Sequence, residues 1–194
     1  KLELNLKERL FLANQYDILS RLTSNEHESR DYVNLRDIFI SGYTRSYSDA
    51  ISFFDEELNE DGCKFVVAVL EMYRSLYYSR LNNPDAVEEI DEKNVLFKGF
   101  DANDPTQVKY YGYYQFLVEQ QGKCKEIKEF IQEGKIEDYN SHGFGPTMIK
   151  LHEMLDNWER IKADNNNPGS NLTLDEIKII LNYNYSISFI NYLI

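Results

Sequence analysis

The chain has 194 residues, with 33 acidic and 21 basic side chains and a formal net charge of −12. Hydrophobic residues make up 42 % and aromatics 14 %, enough for a packed core and too many for a disordered chain. The charge repels phosphate backbones and anionic lipid, so neither nucleic acid nor a membrane surface is an expected partner.

Residues 4–22 are predicted helical, with Leu12, Tyr16 and Leu19 at helical spacing and Phe11, Ile18 and Leu22 on the adjacent row. Lys1 to Arg9 contain no signal-peptide h-region, and no stretch approaches the roughly 20 apolar residues of a spanning helix. A second helix is predicted at 29–42, with Tyr32, Leu35, Ile38 and Phe39 on one side and Gly42 as its stop. A third is predicted at 47–58, capped by Ser48, with Ala50, Ile51, Phe54 and Leu58 inward.

Residues 61–82 carry Phe65, Val66, Val67, Val69, Leu70, Met72, Tyr73, Leu76 and Tyr77 and leave almost no polar face. A helix apolar all round is buried all round, so this is the expected central helix. Glu71 and Arg74, at i and i+3, are expected to pair at its polar edge. Asn82, Asn83 and Pro84 should end it.

Residues 91–104 read as an extended segment and a turn. Asp104 is the expected cap, and Pro105 the first turn, of a helix over 105–121, in which Gly112 suggests close helix approach. A short helix follows at 124–133, then the turn His142-Gly143-Phe144-Gly145-Pro146. Residues 147–163 are amphipathic through Met148, Leu151, Leu155 and Trp158. After a loop at 164–171, Thr173 and Glu176 form a capping box for a last helix. The segment 182–194 has no charged residue and reads as an apolar tail.

The expected fold is all-α: a multihelical orthogonal or bundle-like domain over 1–181 around the buried 61–82 helix, followed by the tail at 182–194. The ordered series Arg9-Leu10, Asn14-Gln15-Tyr16, Gly42-Tyr43, Cys63, Glu71-Met72-Tyr73, Gly99-Phe100-Asp101, Tyr110, Gly112 and Tyr113 continues through His142-Gly143-Phe144, Met154-Leu155, Trp158 and Glu176-Ile177. It resembles the YfbU family of bacterial proteins over roughly residues 6–181. The resemblance implies a multihelical fold and self-association and carries no assigned activity. The loop at 101–107 is longer than the family pattern, and the tail after about 182 has no counterpart in it.

Asp101 sits in a non-helical segment, where functional residues concentrate. With His142 in the other glycine-rich turn it forms a candidate acid/base pair, against the simpler reading of a turn-stabilising carboxylate. Asn14, Gln15 and Tyr16 place polar groups on an apolar helix and are candidate binding residues, as are Tyr110 and Tyr113. The histidines His27, His142 and His152 have no zinc-type partners, and Asn165 to Glu176 matches a calcium loop poorly, so no metal or cofactor is expected. Cys63 and Cys124 are too few for a disulfide scaffold, which makes the expected location cytoplasmic. Cys124 lies between two lysines, which lower a thiol pKa, but no base is adjacent to it.

The leading functional expectation is a self-associating interaction or regulatory module, a homo-oligomer that also has room for another protein partner. The alternative is a small-molecule or hydrolytic enzyme whose pocket is formed by the 99–104 and 142–146 turns.

Overall fold

The computed structural model describes residues 2–165 and 171–183. Among them the chain forms eight α-helices and two 3-10 helices and no β-strand, the all-α class expected. These elements gather into two compact units, Lys1–Glu57 and Leu58–Ile194.

The N-terminal unit is a helical hairpin. Helix α1 (Leu6–Leu22) begins at Asn5, whose side chain accepts from the N–H groups of Lys7 and Glu8 while Glu8 accepts from Asn5 N at 2.7 Å. Helix α2 (Glu26–Ser41) returns antiparallel, since Arg9 near the start of α1 reaches the end of α2. Its guanidinium donates to the carbonyls of Phe39 and Ile40, both at 2.8 Å. Those carbonyls are among the last four of the helix and have no partner within it. Gly42 then turns the chain with φ +74°, and a side chain there would meet the Arg9 guanidinium at 2.8 Å. Ala13, Phe39, Tyr47 and Ala50 are buried between the elements, with Tyr16 stacked on Phe39 and Tyr32.

The predicted third helix at 47–58 is not an α-helix. Residues Thr44–Ile51 form 3-10 turns, and the chain is irregular from there to the next helix. Three residues per turn bring Tyr47 and Ala50 to the same side, whereas Ile51 and Phe54 point outward. Ser48 and Ser52 donate to the carbonyls of Arg45 and Asp49, and the acidic run Asp55-Glu56-Glu57 would sit at the negative C-terminal end of such a helix.

In the C-terminal unit, helix α3 (Glu60–Leu81) is the centre. Asn59 caps it through Gly62 N at 2.8 Å, and Val66, Val69, Leu70, Met72, Tyr73, Leu76 and Ser79 are buried along it. The chain does not simply stop at Asn83-Pro84. Asn83 caps a further short helix that the sequence reading omits, α4 (Pro84–Glu89), with Pro84 in its first turn. Arg80 holds α4 and the chain beyond it against α3 by donating to the carbonyls of Ile90 at 2.6 Å and Val87 at 3.2 Å.

Helices α5 (Val108–Glu119), α6 (Glu126–Gln132), α7 (Met148–Asn165) and α8 (Leu174–Ile180) complete the unit. The Thr173–Glu176 capping box is present as predicted, and buried Ser79 accepts a hydrogen bond from Leu172 N at 2.9 Å. Three expectations are corrected. Helix α5 starts at Val108, because the Asp104 carboxylate instead accepts from Thr106 N and from the Thr106 and Gln107 side chains, which keeps Pro105 in a preceding turn. Gly112 is exposed, and a Cβ placed there would meet nothing within 4 Å, so it serves no close helix approach. Arg74 pairs with Glu126 of α6 at 3.4 Å, and Glu71 is exposed. Residues 184–194, most of the predicted tail, lie outside the described residues.

Two substitutions test this packing by chemical denaturation. Leu76→Ala, at a fully buried site on α3, is expected to lower stability by about 2–5 kcal/mol. Gly112→Ala, on an open helix surface, is expected to raise it by about 1 kcal/mol. A neutral Leu76→Ala would remove α3 from its central place.

Candidate functional site

The two glycine-rich turns singled out in the sequence lie against each other. Val95, Leu96, Phe97 and Phe100 anchor the first to the core of the C-terminal unit. Phe100 then pairs with Asn140 as an isolated parallel bridge, with Ser141 N donating to Phe100 O at 3.1 Å. The contact depends on Gly99. Its φ is +94°, and a Cβ there would lie 2.0 Å from the carbonyl oxygen of Tyr139. Gly145 closes the other side, where a Cβ would meet Gly99 O at 2.9 Å.

The residue that knits the turns is Asn140, which sequence reasoning missed. Its side-chain oxygen accepts from Ala102 N and from His142 N, both at 3.0 Å. The available signal was the alternation Asp138, Asn140, His142 just before the glycines, since Asp and Asn bond to backbone two residues on.

Asp101 and His142 are thereby placed in neighbouring turns, each with local partners. Asp101 accepts from Asn103 N at 2.9 Å, and its second oxygen would lie 3.6 Å from a Cβ on Gly143. His142 is exposed, has φ +48°, and sets Nε2 3.5 Å from the carboxylate of Asp138.

Behind the turns is an aromatic cluster. Tyr110 is half-buried, with its ring 5.4 Å from Phe65 and 5.6 Å from Phe100, while Tyr113 stacks on Phe116. Tyr114 is fully buried among Phe97, Phe100 and Tyr139, and burial pushes its phenol well above the ordinary range. The Tyr139 hydroxyl donates to Glu119. Asn14 and Gln15 are exposed on α1 rather than buried, and Tyr16 belongs to the core of the N-terminal unit, where its hydroxyl donates to Ala50 O at 3.4 Å. Cys124 is half-buried, and burial raises its thiol pKa against the pull of Lys123, the reverse of an activated nucleophile.

Beside the 142–146 turn is a cavity of about 350 Å³. Leu96, Met154 and Leu181 line it with apolar surface, Tyr73, Phe144 and Tyr183 with rings, and Lys93, Lys98 and Lys150 with ammonium-bearing chains. Asp101 and His142 are not among its lining residues. Among the described residues no three His, Cys, Asp or Glu side chains are grouped as metal ligands, and no helix is long and apolar enough to cross a membrane.

Together these features define a multihelical all-α protein with a buried central helix and two interlocked glycine turns. The chain belongs to the YfbU family: the family model described as the YfbU domain matches residues 2–183.

The interlock makes a specific prediction. Gly99→Ala strains a positive φ and drives a methyl into the Tyr139 carbonyl, so it is expected to destabilise by more than the roughly 1 kcal/mol of an ordinary Gly-to-Ala strain penalty. Thermal melting of the variant beside Gly143→Ala, whose new methyl would have only an ordinary 3.6 Å neighbour, separates the close approach from the φ effect. Equal losses in the two would show that the turns tolerate separation.

Proposed function

We propose that the protein is a self-associating interaction or regulatory module, and that two copies meet through the outer face of α1. One observation carries this reading. Phe11, Ile18 and Leu22 on α1 are 71 %, 51 % and 76 % exposed, although the helix buries its Ala13 side against α2.

These residues are not scattered. Phe11, Gln15, Ile18 and Leu22 follow one another at spacings of four, three and four, the seam pattern of paired helices. The seam and the neighbouring Asn14 hold no charge. Two molecules of charge −12 repel at a distance, and an uncharged apolar stripe is where they can touch at least cost. The same stripe on a second copy is complementary by symmetry, as in two-fold dimers generally. Gln15 in the seam supplies a hydrogen-bonding group that favours one register over others, the role a lone polar seam residue plays in coiled coils. Burying each large side chain contributes about 1.5–3 kcal/mol, against which the entropy of association must be set.

The test is sedimentation velocity on the wild type and on Ile18→Glu at micromolar concentration, with circular dichroism as the check on folding. A wild-type dimer and a monomeric, fully helical variant are expected, because the substitution sets two carboxylates against each other in the seam. A wild type that is monomeric throughout, or a dimer indifferent to Ile18→Glu, would overturn the reading.

A further inference from the structure

We propose that the cavity beside the 142–146 turn is a binding site for a small organic phosphate, a phosphate ester with a compact apolar or aromatic body. This gives the small-molecule alternative a ligand class and is independent of self-association, because the cavity lies wholly in the C-terminal unit.

Three features of its wall carry the inference. The first is charge. In a chain of net −12, Lys93 and Lys98 from the 91–104 segment and Lys150 from α7 line one cavity whose lining contains no carboxylate. All three are exposed, and none belongs to the salt bridges found among the described residues. Elsewhere in the unit Lys64, Lys128, Lys135 and Lys162 each pair with a glutamate. The three side chains share one sign, so an anion in the cavity would be attracted by each of them.

The second is Tyr73. It is only 7 % exposed, its side chain reaches the cavity from α3, and its hydroxyl donates to nothing better than the Met154 sulfur at 3.9 Å. A thioether is a weak acceptor, so this buried O–H keeps most of its donor capacity for an oxygen in the cavity. At the mouth, the Tyr183 oxygen accepts from Asn94 at 2.6 Å, which leaves the Tyr183 proton to donate as well.

The third is shape and position. The wall includes Thr147 and Pro146 at the N-terminal end of the eighteen-residue α7, where the peptide dipoles favour negative charge. A volume of about 350 Å³ lies at the small end of ligand sites, which run roughly 300–1,000 Å³, and exceeds what inorganic phosphate fills. The surplus is bounded by Leu96, Met154 and Leu181, which suit an apolar body. A phosphate monoester brings close to two charges and three acceptor oxygens, matching three ammoniums and two phenols better than a single carboxylate does.

Isothermal titration calorimetry at low salt tests this with phenyl phosphate and adenosine 5′-monophosphate, using phenol and adenosine as uncharged counterparts. At least one ester is expected to bind and neither counterpart to do so. The double variant Lys98→Met, Lys150→Met should weaken binding by about tenfold or more. Tyr73→Phe should weaken it by a smaller factor, with the helical spectrum unchanged. Lys64→Met, which removes a paired surface lysine at the far side of the charge ledger, should leave affinity where it was. Binding by neither ester overturns the proposal. So does equal binding of the counterparts, or a loss in Lys64→Met as large as in the double variant. Failure here leaves the sedimentation result on Ile18→Glu untouched.

Discussion

Helix α3 is buried on every side but one narrow edge, where Lys64, Glu71, Arg74 and Tyr78 meet water, and the rest of the C-terminal unit is arranged around that constraint. Val66, Val69, Met72 and Leu76 are buried on it along successive turns. Covering a cylinder of that kind takes several elements, and α4, α5, α7 and α8 all pack on it. Where a helix is too short to cover a stretch, irregular chain does so: Val95, Leu96, Phe97 and Phe100 enter the same core from a segment without a helix. That segment can lie deep only because its backbone is paired, by the Phe100–Asn140 bridge and by the Asn140 side chain.

The parts of the fold written in hydrophobic period were legible in the sequence. Helices α1, α2, α3 and α7 and the Thr173 capping box were readable because apolar spacing and cap chemistry are local signals. What escaped depended on three-dimensional company. Residues 47–58 have some apolar periodicity, yet Tyr47 and Ala50 are the two of them that are buried, and three residues per turn suits those two. Pro84 read as a stop because a proline ends a helix as readily as it begins one, and Arg80 decides between the two by gripping the far end of α4.

The candidate site divides in the same way. That Gly99 and the 142–146 turn mattered was visible in the glycines themselves, and the turns do abut. Glycines do not encode which side chains meet across the turns, and the carboxylate within reach of His142 is Asp138, four residues back in sequence. The lysine-lined cavity left no trace in the sequence, because Lys93, Lys98 and Lys150 are unremarkable singly and become a group only where the chain folds back on itself. Net charge is a poor guide to it: a chain can be acidic as a whole and still line one cavity with lysines and no carboxylate.

The bond from Leu172 N to the Ser79 hydroxyl joins a loop to the central helix at a place where both residues are buried. That amide is held by a side chain from another element, outside any helical ladder. Protection of its proton from exchange therefore reports the contact between the segment carrying α8 and α3, whereas the amides inside α8 report its winding. A single backbone proton thus distinguishes, in this protein, docking of α8 from its helicity.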